Sequence, residues 1–197
     1  MNSLLVNTYV KMFFLLSPFF AVSMFLSFAR ELDIAEKRRR AVRTSFSMLV
    51  IILIFFFFGV QIFSTLGITL GAFQVGAGTL LFLNAIALVS GKKTENIVGD
   101  DDFSVVPLAM PLIVGPGTIG TLFVLGAELV TRKEKLLACA GILLAALTVS
   151  MLLYLATAIE RMLGKKGLAA LTKLTGLVLA SLAAQIIFTG IRALLGS

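Results

Sequence analysis

The chain has 197 residues, of which 59% are hydrophobic and 14% charged, with a mean hydropathy of +1.06; a soluble domain averages about 25% charged residues, so composition places this chain in a bilayer. Its net charge of +7 sits mostly in short loops beside apolar spans, where it sets topology and meets anionic headgroups, and this argues against nucleic acid as a partner. The sequence lacks histidine, and Cys139 is alone, which excludes His-based metal ligation, a thiolate cluster and an intramolecular disulfide.

Six apolar stretches approach the roughly 20 residues that a bilayer crossing needs, at about Leu4–Ala29, Thr44–Leu66, Thr69–Ser90, Val105–Val130, Leu136–Ile159 and Leu168–Leu195. No basic n-region or clean small-x-small site marks a cleavable leader, so the first span is expected to stay. It contains Ser17-Pro18 and should be kinked or broken there. The second span carries Ile51 to Phe58, an unbroken apolar run that predicts a lipid-facing helix. The third and sixth are richer in Gly, Ala, Ser and Thr, which let helices approach closely in membranes.

The fourth span holds the most informative stretch, VPLAMPLIVGPGTIGTLFVLG at 106–126. Gly115-Pro116-Gly117-Thr118 interrupts it near the middle, since proline lacks an N–H and clashes with the carbonyl four residues back. In lipid the freed backbone groups must find partners, so such a break survives only against protein or a polar cavity. A lone proline would be read as a packing kink; proline between two glycines, with threonine following, points to a binding site near the midplane.

Charge orients the spans. Arg30, Lys37, Arg38, Arg39, Arg40, Arg43, Lys92, Lys93, Arg161, Lys165, Lys166 and Lys173 fall on one side, against Lys11, Arg132, Lys133, Lys135 and Arg192 on the other. The positive-inside rule puts the first group in the cytoplasm and both termini outside it. The halves also repeat. Sliding the chain along itself until Pro18 lies on Pro116 pairs Phe25 with Phe123, Glu36 with Glu134, Gly78 with Gly176 and Leu81 with Leu179. With three spans per half, the second half enters from the opposite side. The expected fold is therefore an all-α polytopic membrane protein of six transmembrane helices. They form two inverted three-helix repeats, 1–98 and 99–197, within one membrane domain, with helices 1 and 4 discontinuous.

These residues carry a resemblance. The chain resembles the MarC/SnatA family of six-span inner-membrane proteins, also described as small neutral amino-acid transporters. The carrying motifs are VPLAMPLIVGPGTIG, Leu66-Gly67-Ile68, PFFAVSMFLSF with the EKRRR loop, and Gly176-Leu177 with Gln185 and Gly190-Ile191. The likeness covers nearly the whole chain and implies an inverted repeat and transport of glycine-, alanine- or serine-sized amino acids. Departures stand at Ser17, where the family usually has Asn or Asp, at Phe20, where it usually has glycine, and at Gln74, where it usually has a basic residue.

A free amino acid carries an ammonium and a carboxylate, and a discontinuous helix offers partners for both. The N–H groups of Gly117, Thr118 and Ile119 are expected to face a carboxylate at the positive end of the helix dipole. Carbonyls near Pro111, Leu112 and Ile113 are expected to accept from the ammonium, and Thr118 adds a hydroxyl. The expected substrate site is thus Gly115, Pro116, Gly117, Thr118 and Ile119, with Ser17 and Pro18 from the opposing break. Asn84, Gln185 and Gln61 are read as interhelical hydrogen-bonding residues. Lys11 is read as snorkelling to the surface, with an outer vestibule as the alternative. Every Asp and Glu lies in a loop or at a span end, which disfavours coupling through a central carboxylate. No nucleophile–base pair is present, so the chain is not read as an enzyme, and no cofactor or metal is expected. Possible partners beyond a small neutral amino acid and the lipid bilayer are further copies of the chain. The rival functions are a channel or carrier for another small solute, and a non-transporting membrane assembly subunit.

Overall fold

The computed structural model describes residues 2–29, 32–91, 113–129 and 131–196, and among them every element of regular structure is a helix. The helices are α1 (Asn2–Leu15), α2 (Pro18–Phe28), α3 (Ile34–Thr65), α4 (Leu70–Ser90), α5 (Pro116–Glu128), α6 (Arg132–Tyr154) and α7 (Ala156–Leu195). Among the described residues five stretches are long and apolar enough to cross a membrane, the first being α1 and α2 together, and Gly117–Glu128 is a shorter apolar helix. The expected half-span before Gly115 lies outside the described residues except for Ile113 and Val114, and Pro111, Leu112, Lys92 and Lys93 lie outside them too.

Local chemistry sets the ends. Asp33 caps α3 by accepting from the Glu36 N–H at 2.7 Å, and Thr69 caps α4 by accepting from Ala72 at 3.3 Å. Glu134 reaches back from the third position of α6 to the Thr131 N–H at 3.3 Å. Gly91 ends α4 in the left-handed region, with φ 66°. Helices begin at matching places in the two halves: Ser17 and Gly115 are N-caps followed by proline, and Asp33 and Thr131 are N-caps followed three residues on by glutamate.

Two boundaries differ from the sequence reading. Residues 34–43, taken as a basic loop, are the first turns of α3. At 1.5 Å per residue its 32 residues reach about 48 Å, well past a hydrocarbon core of about 30 Å. Charge does not oppose a helix that projects into water, and Arg40 pairs with Glu36 one turn back at 3.6 Å. The fifth span stops at Tyr154 rather than near Ile159. The chain then runs helically from Ala156, bending at Gly164, whose φ of 64° and ψ of 172° interrupt α7.

The second span is not lipid-facing all round. Met48, Ile52 and Phe56, at helical spacing, are buried, whereas Phe46, Ile54, Phe57 and Phe58 are exposed on the other side. α3 packs on α5 and α6, α1 packs on α6, and α4 lies along α7. Since lipid tails are as apolar as leucine, close packing rather than escape from water holds such contacts. The α4–α7 seam shows how close: a Cβ on Gly78 would lie 2.7 Å from Ile187 Cγ1 and 3.2 Å from the Ala183 carbonyl. A Cβ on Gly176 would lie 2.9 Å from Val89 Cγ2 and 3.1 Å from the Ala85 carbonyl. Gly78, Ala85 and Val89 are the residues that fall on Gly176, Ala183 and Ile187 when Pro18 is laid on Pro116. The contacts are reciprocal.

Candidate functional site

The site grows from the two breaks. Pro18 has no N–H to close the last turn of α1, and the neighbouring groups make up the loss. Ser17 donates its N–H to the Phe14 carbonyl at 2.9 Å and points its hydroxyl at the same oxygen at 3.4 Å, and Leu16 N–H donates to Met12 at 2.9 Å. Doing so puts Ser17 in the left-handed region, at φ 47° and ψ 59°. Residues before proline are normally extended, and a left-handed non-glycine residue costs about 1–2 kcal/mol.

The second break is built differently. Gly115 is extended, φ −73° and ψ 173°, a conformation open to any residue. Ile119 N–H donates to the Gly115 carbonyl at 3.1 Å, so it closes the first turn of α5 and is not held out to a ligand as expected. Gly117 and Thr118 carry the N–H groups that a first turn leaves outside its own ladder. Nor does Gly117 need glycine for a positive φ. A Cβ there would lie 2.6 Å from Leu81 Cδ1, so glycine lets α5 press onto α4.

The breaks meet through one hydrogen bond: Thr118 Oγ1 donates to the Leu15 carbonyl at 3.2 Å, fully inside the bundle. Leu15 lies in the last turn of α1, whose carbonyls lack helical partners, so Thr118 satisfies an orphan acceptor of the opposite half. Ser17 is 3% exposed and Thr118 1%. The structure therefore brings Ser17 and Thr118 close together at a buried junction.

The open space begins at Leu15. A cavity of about 220 Å³ is lined by Lys11 and Leu15 of α1, Gln74 of α4, one face of α5 (Thr121, Val124, Leu125, Glu128) and one face of α7 (Leu182, Gln185, Ile186, Thr189). Both faces follow the i, i+3, i+4, i+7 spacing of one side of a helix. The volume is below the roughly 300–1,000 Å³ of pockets for drug-sized ligands, which suits a solute of few heavy atoms. Thr121 and Thr189 donate to their own helices, at Gly117 and Gln185, at 3.0 and 2.9 Å, and so present acceptor lone pairs. Gln74 is 4% exposed, and among the described residues its amide has no hydrogen-bond partner. Among the described residues no group of three or more His, Cys, Asp or Glu could hold a metal.

Several of these residues were visible in the sequence and given other work. Lys11 lines the cavity. Gln185 faces the cavity rather than another helix, and Asn84 is exposed on α4. Glu128 and Thr121 were missed as a pair; their seven-residue separation on one apolar helix was the available signal.

A bundle of membrane-length apolar helices, with two shorter helices that start at proline breaks, defines a polytopic α-helical membrane protein. Residues 2–195 match the family described as MarC family integral membrane protein, and the chain belongs to that family. It is 33% identical to a UPF0056 membrane protein of Aquifex aeolicus over 98% of this chain and 94% of the relative. A UPF0056 membrane protein of Methanocaldococcus jannaschii is also 33% identical, over 92% of this chain and 93% of its own length. One from Pyrococcus abyssi is 32% identical over 95% and 94%. No solved structure matches the chain.

Proposed function

We propose that this protein carries small neutral amino acids such as glycine, alanine or serine across the cell (inner) membrane. The observation that carries the reading is the polar cavity of about 220 Å³ ending at Leu15, where the Thr118 hydroxyl ties the two broken helices together. A cavity stopped by a junction of breaks is one half of an alternating-access path: the substrate waits on one side, and parting the Thr118–Leu15 contact opens the other. At that moment the N–H groups of Gly117 and Thr118 and the Leu15 carbonyl become available to the substrate, with Gly115, Pro116, Ile119, Ser17 and Pro18 as the frame that holds them.

The halves 1–98 and 99–197 are read as inverted repeats that rock against each other. The reciprocal contacts of Gly78 and Gly176 support this, as do the matching helix starts at residues 17 and 115 and at 33 and 131. The asymmetry of Lys and Arg supports a cytoplasmic location for residues 34–43 and external termini.

A thermal-shift screen of the purified protein over the amino acids tests the reading, because a ligand that binds only the folded state raises stability by mass action. Glycine, alanine and serine should raise the melting temperature, and leucine and phenylalanine should not. A flat response to every amino acid, with a different small solute stabilising, would replace this reading with a carrier or channel for that solute.

A further inference from the structure

We infer that the cavity is a zwitterion site in which Lys11 takes the carboxylate of an α-amino acid, Glu128 takes its ammonium, and the Gln74 amide orients the ligand between them. The inference rests on the transport reading and names the groups that recognise its substrate.

Both charges line one small cavity, yet among the described residues no ion pair joins them within 4.0 Å. Lys11 and Glu128 are both accessible, Glu128 at the last position of α5, so each can meet a ligand that enters the cavity. A cation of one helix and an anion of another, lining one cavity without pairing, are completed by a ligand that carries an ammonium and a carboxylate on one carbon.

Gln74 supplies an independent observation. It is 4% exposed, and among the described residues its side-chain amide makes no hydrogen bond. No described buried side-chain nitrogen or oxygen lacks a partner, so the Gln74 amide opens onto the cavity rather than being sealed in the seam. An amide donates to a carboxylate and accepts from an ammonium, and so it serves both ends of a zwitterion without adding charge. Beside the polar Thr121, Gln185 and Thr189, the wall carries Val124, Leu125, Leu182 and Ile186, an apolar part that faces the side chain of the ligand. Charge matching then excludes near relatives. An amine lacking the carboxylate leaves Lys11 uncompensated, and an acid lacking the ammonium leaves Glu128 uncompensated.

The test uses the full chain in nanodiscs, with calorimetry for three probes: glycine, glycinamide (ammonium only) and glycolate (carboxylate only). Wild type should bind glycine more tightly than either. Lys11→Gln should weaken glycine roughly ten- to a hundredfold and abolish its advantage over glycinamide. Glu128→Gln should abolish the advantage over glycolate. The exchange variant Lys11→Glu/Glu128→Lys should recover part of the lost glycine affinity. Independently of these variants, glycine should slow thiol labelling of Thr121→Cys in a Cys139→Ala background. If both single variants keep the wild-type order of the three probes, or glycine leaves the labelling rate unchanged while still binding, this assignment is overturned and the transport reading stands. If the folded wild type binds no amino acid at all, both fall.

Discussion

Ser17 and Thr118 show how single residues hold the broken helices. Ser17 is the only described non-glycine residue with positive φ, and the relation to Pro18 that forces it there also supplies the replacement donor to Phe14. Asn tolerates the left-handed region and β-branched residues do not. Ser17→Asn should therefore fold at least as stably as wild type, and Ser17→Val should lose on the order of 1–2 kcal/mol, read from denaturation in detergent. Thr118→Val keeps the shape but leaves the buried Leu15 carbonyl without its donor. It should cost about 1–3 kcal/mol of stability, a loss that Thr118→Ser, which keeps the hydroxyl, should largely avoid. Equal melting of Thr118→Val and wild type would show that the junction is held by packing alone. The existence of both breaks was legible because proline has no N–H wherever it falls. What the breaks do was not: the sequence shows the Thr118 hydroxyl, but its partner lies far off along the chain.

At the scale of elements, the α4–α7 seam is set by glycine. Gly78→Val and Gly176→Val each drive side-chain atoms toward a backbone carbonyl that cannot retreat, Ala183 in one case and Ala85 in the other. Each should destabilise by roughly 1–3 kcal/mol, and by similar amounts, because the contacts are reciprocal. Gly76→Ala on the same helix is the control. Nothing lies within 4 Å of its Cβ position, so the better helix former should stabilise, by up to about 1 kcal/mol. A large asymmetry between Gly78→Val and Gly176→Val would contradict the repeat. The pairing of Gly78 with Gly176 was readable as an offset in the sequence; that these glycines face each other's helices was not. The projecting start of α3 was misread because its charge resembles a loop, although Asp33 and Glu36 carry the pattern of a helix start. The cavity was illegible for a deeper reason. Lys11, Gln74, Glu128 and Gln185 come from four helices, and only tertiary packing decides which faces meet.

For the whole molecule, the proposed function needs two halves that close the cavity at the junction of the breaks. Orientation can be checked in a Cys139→Ala background with a membrane-impermeant thiol reagent. Arg39→Cys should react only from the cytoplasmic side and Ile68→Cys, in the turn between α3 and α4, only from outside. Reaction of both from one face would contradict α3 as a crossing. The proposed function itself is tested most directly by counterflow. Purified protein is reconstituted into vesicles loaded with alanine, and entry of labelled glycine from outside is followed. The account predicts that glycine accumulates transiently above its external concentration. Accumulation should be absent from vesicles loaded with glycolate or methylamine, and Thr118→Val should alter its rate at matched folded protein. Glycine entry no faster than in protein-free vesicles, from folded protein and whatever is loaded, would contradict it.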